Sequence, residues 1–417
     1  MSDKVEVPFP EQGATPDEVL ERLGGLRGDD LDWRSGKAFS LVYNSGDHEH
    51  EALLEHVANL YQHDNALNPF AYPSLLQMEL DLVGMAAGLF GTTPDAGSIS
   101  SGGTESIFLA VQTARDDARE ERGISEPVLL TAVTAHPAFA KAAHYLDIEH
   151  RFVPVGADGR LDVDALADAI DARTGLVVGS APCYPYGVID DIPAIAALAA
   201  ERDILCHVDA CLGGWLLPWY AQIGEPVPPW DLRVPGVTSL SADIHKYGYA
   251  FKGVSTILYR DRQLLKRQHF WYDSWPGGLY ASATTAGTRP APPIAGAWAA
   301  IAHLGADGYR AKAAQVRDAG RAFTAGIEAI ERLSITHVPD IPVFEFTATD
   351  GSILAIADAM DRRGWHLDRQ QGGLHLMLSP VHVQVADAFL ADLAAAVDES
   401  PVGGDGDLGD TSYGGIA

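Results

Sequence analysis

The chain has 417 residues, 47% hydrophobic and 21% charged, which supplies apolar surface for a large core and excludes a disordered or fibrous sequence. Its 29 Lys and Arg stand against 57 Asp and Glu, a formal net charge of -28 that repels phosphate backbones and anionic headgroups and makes nucleic acid a poor partner. Such acidity suits a salt-adapted host and equally an alanine-rich, lysine-poor sequence. At two to three times the usual domain length, one large domain with a smaller companion is expected. Three cysteines, Cys183, Cys206 and Cys211, fall into neither a CxxC nor a Cys/His zinc spacing, so a reducing cytoplasmic setting and no metal site are expected. The opening MSDKVEVPFPEQG lacks a basic stretch followed by an apolar run, and no run of ~18 apolar residues occurs. Neither a signal peptide nor a transmembrane segment is expected.

No repeat of about 20 to 50 residues is visible, which excludes solenoids and propellers. Helical patterning appears first at 17–23 and 51–61; the stretch DHEHEALLEH carries His48, His50 and His56 in an acidic setting that reads as solvated surface. A glycine-rich SGGTES at 101–106 leads into the helical pattern IFLAVQTARDDAR. Strand-like runs follow at 128–133, 150–155, 176–181, 204–208, 237–242 and 254–259, with helical segments at 138–146, 163–172 and 192–201 between the first four. Short β-branched strands alternating with amphipathic helices predict an α/β architecture with a largely parallel sheet covered on both faces. From about 308 the texture changes to a long helical pattern at 309–332, short strands at 343–346 and 374–378 and a last helix at 383–397, a smaller α+β unit. The expected partition is 1–75, 76–307, 308–400 and a tail at 401–417 that reads as a mobile end or an arm on a neighbour.

Four motifs carry chemistry. Two glycines in SGGTES permit close backbone approach, and the start of the following helix offers unpaired amides to a phosphate, with Gly103 and Thr104 at the turn. HVDA, ending in Asp209 and Ala210, closes a strand and delivers a carboxylate where α/β sheets place ligands. In SADIHKYGYAFKG, Lys246 lies among Tyr247, Tyr249 and Phe251, where desolvation makes an amine nucleophilic toward a carbonyl. TAHPAFAKAAHYL starts a helix at His136, an imidazole able to stack on a flat ring or handle protons. All four follow strand ends. Together they meet what pyridoxal 5'-phosphate requires: an amine for its aldehyde, an acid for its ring nitrogen, amides for its phosphate and a flat face for its ring.

The stretches SGGTESI, SAPCYPYGVID, HVDACLGGWLLP, RVPGVTSLSADIHKYGYAFKG and GGLYASATTAGTRP resemble the pyridoxal-phosphate enzymes of the aspartate-aminotransferase fold, glutamate-decarboxylase-like group, and most closely the sphingosine-1-phosphate lyase family. The resemblance runs from about residue 39 to the end, without the membrane helix of the membrane-bound members, as in the soluble bacterial form. It implies fold type I, with a seven-stranded, mostly parallel sheet in the large domain, pyridoxal 5'-phosphate as cofactor, and a homodimer with shared active sites to which residues 1–75 contribute. By position, Lys246 is similar to the Schiff-base lysine, Asp209 to the partner of the ring nitrogen and His136 to the stacking histidine. Gly103, Thr104 and His245 match the phosphate-binding set, joined by Gly287 and Thr288 from the neighbouring subunit. Tyr184, Lys252, Asn65 and Tyr43, the last from the partner protomer, match residues around the substrate. Asn68 stands where the family has a histidine, a neutral donor beside Lys252. The implied reaction is retro-aldol cleavage of the Cα–Cβ bond of a phosphorylated sphingoid base to a fatty aldehyde and phosphoethanolamine, with Tyr184, Lys246 and Lys252 as proton carriers. The alternative is an L-amino-acid decarboxylase, for which Arg289 is the available cation. A non-catalytic carrier is disfavoured by the intact set of Lys246, Asp209 and His136. Trp215, Trp219, Trp271 and Trp275 are expected at the substrate entrance or the dimer seam.

Overall fold

A computed structural model describes residues 7–28 and 30–403; the tail expected to be mobile lies outside the described residues from 404 onward. The chain opens with α1 (Pro16–Leu26), α2 (His48–Tyr61) and α3 (Pro73–Phe90). Then come β1 (Gly97–Ser100), α4 (Gly103–Glu120), β2 (Val128–Ala132), α5 (Ala138–Leu146), β3 (Glu149–Val153), α6 (Val163–Ala169) and β4 (Thr174–Ser180). Next are α7 (Ile192–Ala200), β5 (Leu205–Asp209), α8 (Leu217–Gln222), β6 (Ser239–Ala242), β7 (Ser255–Tyr259) and α9 (Arg262–Gln268). A hairpin of β8 (Phe270–Tyr272) and β9 (Tyr280–Ser282) precedes the long α10 (Ala291–Glu328). Last come β10 (Leu333–Ile335), β11 (Val343–Ala348), α11 (Ile353–Asp361), β12 (Asp368–Arg369), β13 (Leu374–Met377) and α12 (Ala386–Glu399).

Among the described residues, one sheet has seven strands in the order β1-β7-β6-β5-β4-β2-β3, and a second has four in the order β10-β11-β13-β12. In the large sheet β6, β5, β4, β2 and β3 run parallel, while β7 is antiparallel to both β6 and β1. Parallel neighbours cannot be joined by tight turns, so each connection carries helices that cover the faces, and β2, β4, β6 and β7 are buried along their full length. Asp191 caps α7 by accepting from the Ala194 amide, and Asp47 caps α2 through the His50 amide.

The mostly parallel sheet with its smaller C-terminal sheet agrees with the expected fold. Among the elements that were not expected are α3 and β1. α3 is apolar around much of its circumference, so no alternating stripe announces it, and it buries Leu75, Leu82, Val83, Ala86, Ala87 and Phe90. β1, Gly-Ser-Ile-Ser, lacks β propensity and exists because it pairs with β7. α10 begins at Ala291 rather than 309, with a break at Gly305 (φ 54°), and α6 stops at Ala169, short of 172. His50 is buried, its Nε2 2.8 Å from the Tyr249 carbonyl, which corrects the expectation of a solvated surface; His48 and His56 are exposed. Trp215 and Trp219 are also core residues, packed on Tyr309, whereas Trp271 and Trp275 are exposed.

The small sheet has its own core of Phe323, Phe344, Phe346, Trp365, Leu376 and Phe389. Into it is threaded a strap from the N-terminal region: Phe39 stacks on His382 at 4.6 Å and meets the edge of Phe389 at 5.0 Å. The strap's backbone is stitched by the Met377 amide to the Phe39 carbonyl and the His366 amide to the Lys37 carbonyl, both 2.9 Å. A fully buried phenyl ring contributes about 1.5–3 kcal/mol by area alone, so Phe39 is an anchor for residues 37–40.

The two sheets meet at Gly187. Its φ is +65°, and a Cβ built there lies 1.8 Å from the Val343 carbonyl oxygen, while its own carbonyl accepts the Asp340 amide at 3.0 Å. Gly187→Ala is therefore expected to lower unfolding stability by about 3 kcal/mol, from left-handed strain plus a backbone clash, read as a lower midpoint in thermal and urea denaturation.

Candidate active site

The carboxyl ends of the parallel strands converge on one cavity, lined by His136, Ser180, Pro182, Cys183, Tyr184, Asp209, Cys211, Leu212 and Lys246. Asp209 is the last residue of β5, held by the Cys211 amide (3.1 Å) and the Ser241 hydroxyl (3.3 Å) on Oδ1. His207, two residues earlier, is clamped between Ser239 and Ser241 at 2.9 and 3.1 Å, and burial drives it down to about 4, so it is a neutral packing group behind Asp209. His136 opens the turn into α5, and its Nδ1 accepts the Ala138 amide at 3.1 Å, which leaves the proton of the neutral ring on Nε2. Burial lowers its pKa, against the nearby carboxylate of Asp209.

Lys246 follows β6. Its Nζ lies 3.1 Å from Oδ2 of Asp243, a carboxylate with 2% of its side chain exposed that also faces His245 Nε2 at 3.6 Å. Burial by itself would raise the Asp243 carboxyl, but the Lys246 ammonium and His245 outweigh it and hold the pKa below the ordinary value. Asp243 Oδ1 is buried without a hydrogen-bond partner among the described residues. This residue was missed at the sequence level, although SADIHK placed it one helical turn before the lysine. His245 is fixed by Nδ1 to the Val254 carbonyl at 2.8 Å, and burial lowers its pKa.

The glycine turn lies directly above. Gly102 has φ +153°, and a Cβ on Gly103 would stand 2.8 Å from both Asp243 Oδ2 and Cys211 Sγ. No side chain caps α4, so the amides of its first turn, which includes Thr104, face outward with the helix dipole behind them. Glu105, also unanticipated, accepts from the Ser101 amide at 2.6 Å, the Thr285 amide at 2.8 Å and the Thr285 hydroxyl, tying this turn to the 284–288 loop.

Lys252 packs its ammonium over the ring of Tyr43 at 4.8 Å, and Tyr43 meets Tyr247 edge to face at 5.0 Å. Burial, with Lys246 nearby, brings Lys252 down to about 8. Tyr43, expected to come from a partner protomer, here lies over the Lys252 of its own chain, a few residues after the Phe39 anchor. Tyr184 donates its hydroxyl to Asp368 at 2.7 Å.

Asn65, Asn68, Gly287 and Thr288 are not among the residues lining this cavity. Asn65 Nδ2 meets the Thr288 hydroxyl at 3.4 Å, and a Cβ built on Gly287 would lie 3.7 Å from Leu67. Asn68 Oδ1 accepts the Phe70 and Ala71 amides at 3.0 and 3.3 Å, so its NH₂ is the donor it has to offer. Leu67 and Phe70, next to Asn68 in sequence, and Trp271, Trp275 and Leu279 of the β8–β9 hairpin are exposed. Arg289 is committed to Glu79 and to the Ala66 carbonyl.

Lysine, carboxylate, imidazole and an uncapped glycine turn at one cavity fit pyridoxal 5'-phosphate. Comparison with known proteins agrees. The pyridoxal-dependent decarboxylase conserved domain matches residues 32–349. A sphingosine-1-phosphate lyase of Oryza sativa is 39% identical over 391 residues, 91% of this chain and 72% of that protein. One from Rattus norvegicus is 39% identical over 397 residues, 94% and 70% of the two chains. The solved structure of a Burkholderia pseudomallei sphingosine-1-phosphate lyase superposes with a TM-score of 0.90 at 39% identity, covering 95% of this chain and 93% of that one.

Adding a methyl group at the glycine turn displaces Asp243 or Cys211 from beneath the amides. Gly103→Ala is expected to weaken retention of pyridoxal 5'-phosphate by about 2 kcal/mol, roughly 30-fold, in an absorbance titration of dialysed protein.

Proposed function

Because the chain belongs to the pyridoxal-dependent decarboxylase family and, within it, to the sphingosine-1-phosphate lyases, we propose that it cleaves the Cα–Cβ bond of sphingosine 1-phosphate to a fatty aldehyde and phosphoethanolamine. The observation that carries this reading is the cavity in which Lys246, Asp209, His136 and Tyr184 converge with Lys252 at its side. Pyridoxal 5'-phosphate, when bound, supplies an aldehyde that joins an amine and a ring that draws electrons from bonds at the amine-bearing carbon. Lys246 would hold that aldehyde, Asp209 would pair with the ring nitrogen, His136 would offer its ring as the stacking face, and Gly103, Thr104 and His245 would hold the cofactor phosphate. Lys252 attracts the substrate phosphate, Tyr43 confines the Lys252 stem, and Tyr184 faces the substrate hydroxyl.

Gly287 and Thr288, with Asn65 and Asn68, serve the site of a second protomer in a homodimer. That none of them is among the residues lining the cavity of their own chain supports this, as do the exposed Leu67 and Phe70 next to Asn68 and the absence of any buried residue in α1. An isolated helix of this length is marginal in water, and its row Val19, Leu20, Leu23 and Leu26 calls for a partner surface. A reducing cytoplasm suits Cys183, Cys206 and Cys211, all free and buried. No helix among the described residues is long and apolar enough to cross a membrane.

A decarboxylase would need a cation for the substrate carboxylate, and Arg289 is occupied by Glu79. Incubation with sphingosine 1-phosphate and with a panel of amino acids separates the readings: aldehyde and phosphoethanolamine are expected, and carbon dioxide in their place would overturn the lyase. Borohydride reduction of the loaded protein followed by peptide mapping is expected to mark Lys246.

Two further outcomes are expected. The Lys252 ammonium is present below about 8 and lost above it, so kcat/KM for sphingosine 1-phosphate falls as pH rises through that value. Lys252→Arg moves the fall to higher pH, and Lys252→Ala lowers kcat/KM about 10- to 100-fold. If sites are shared, mixing Lys246→Ala with Thr288→Ala subunits, each nearly inactive alone, restores about a quarter of wild-type activity, because half the random dimers carry one intact site of two.

A further inference from the structure

Three distant segments of the chain meet at the carboxylate of Asp368 in β12. Its Oδ2 accepts the Tyr184 hydroxyl and its Oδ1 the Ser40 hydroxyl, both at 2.7 Å. Tyr184 belongs to the loop after β4 and lines the cavity with Lys246; Ser40 belongs to the strap anchored by Phe39. His375, opposite Asp368 in the β12–β13 ladder, packs its ring 4.2 Å from the Tyr184 ring and sets Nε2 2.9 Å from the Tyr184 carbonyl. Burial drives His375 down to about 4, so it is neutral beside the carboxylate. Arg369 is turned to Asp358 and Asp361, and among the described residues no cation pairs with Asp368.

This arrangement decides what Tyr184 can offer. A phenol has one proton, and here it is given to a carboxylate, so the oxygen presents lone pairs to any other neighbour. Lone pairs repel a phosphate oxygen and attract a hydroxyl proton. Resting on the lyase reading, we propose that Asp368 is a positioning residue that makes Tyr184 the proton acceptor for the substrate β-hydroxyl. The substrate O–H bond breaks as an O–H bond forms on Tyr184 Oη, and the former Tyr184 proton passes to Asp368 Oδ2. The electron pair left on the substrate oxygen becomes the second bond of the aldehyde carbonyl as Cα–Cβ breaks. The pair of that broken bond stays with the amine-bearing carbon until the proton parked on Asp368 returns to it through Tyr184. No water or other reactant is consumed, and the two products together have the composition of the substrate.

The test uses the cofactor-loaded enzyme with sphingosine 1-phosphate, comparing wild type, Asp368→Asn, Asp368→Glu, Tyr184→Phe and the double variant Tyr184→Phe/Asp368→Asn. Asp368→Asn is expected to lower kcat about 100-fold with KM within about 2-fold, and Asp368→Glu to recover part of the loss. The double variant is expected to be no slower than Tyr184→Phe, because the two groups act as one unit. Cofactor absorbance per subunit and the thermal midpoint stay at wild-type values. Additive losses, an unchanged kcat, or a loss that tracks missing cofactor would overturn the proposal. Should Asp368→Asn not accumulate as folded protein, Ser40→Ala removes only the second donor and is expected to lower kcat severalfold at constant KM; an unchanged kcat overturns the relay there too. Wild-type protein that releases no aldehyde overturns the lyase reading together with the relay, whereas active wild type with an equally active Asp368→Asn overturns the relay alone.

Discussion

Parallel pairing on both sides of β5 is the constraint from which the site follows. Register sets Ser180 of β4, Asp209 of β5 and Ser241 of β6 in one row at the carboxyl edge of the sheet. Once that row is fixed, each chain must leave the sheet there, and the departing loops carry Cys183 and Tyr184, Cys211 and Leu212, and Lys246 to the walls of one cavity. A slip of one residue in β5 would turn Asp209 to the opposite face and put Val208 in its place. Ser239 and Ser241, bonded to both nitrogens of His207, help to lock the register from behind.

Within that frame the charges are arranged to be incomplete. Asp243 is deeply buried, and of its two oxygens one meets the Lys246 amine while the other has no partner among the described residues. Removing a charge from water is costly unless geometry compensates, so such a pair marks chemistry more than stability. The lysines divide the work by environment. Lys246 faces a carboxylate at 3.1 Å, whereas Lys252 faces an aromatic ring and is left with a depressed pKa. An anion arriving beside Lys252 would restore its proton, which couples binding to charge without any movement of the backbone.

Much of this is legible in the sequence alone. Strands rich in Val, Ile and Leu separated by alanine-rich helices announce a parallel sheet, and the order of glycine turn, histidine, aspartate and lysine after successive strand ends announces the cavity. Local motifs succeed because the residues that bind a compact cofactor must sit at the ends of a few adjacent strands. What escaped depends on contacts distant in sequence. Asp368 meets Tyr184 and Ser40 across most of the chain, and nothing in Leu-Asp-Arg signals it. β1 is a strand only because β7 lies beside it. Tyr43 joins Lys252 of its own chain because Phe39, a few residues earlier, is captured by a core whose other members lie beyond residue 318.

That capture bears on how the molecule is made. Residues 37–40 are synthesised long before their hydrogen-bonding partners at His366, Met377 and His382. The large sheet can assemble without these residues, but the strap has nowhere to dock until β13 and the segment carrying His382 are in place, and until then the Phe39 ring has no core to enter. Lys252 therefore gains Tyr43 only once the small sheet has formed, which places completion of the cavity's side wall after assembly of the large sheet.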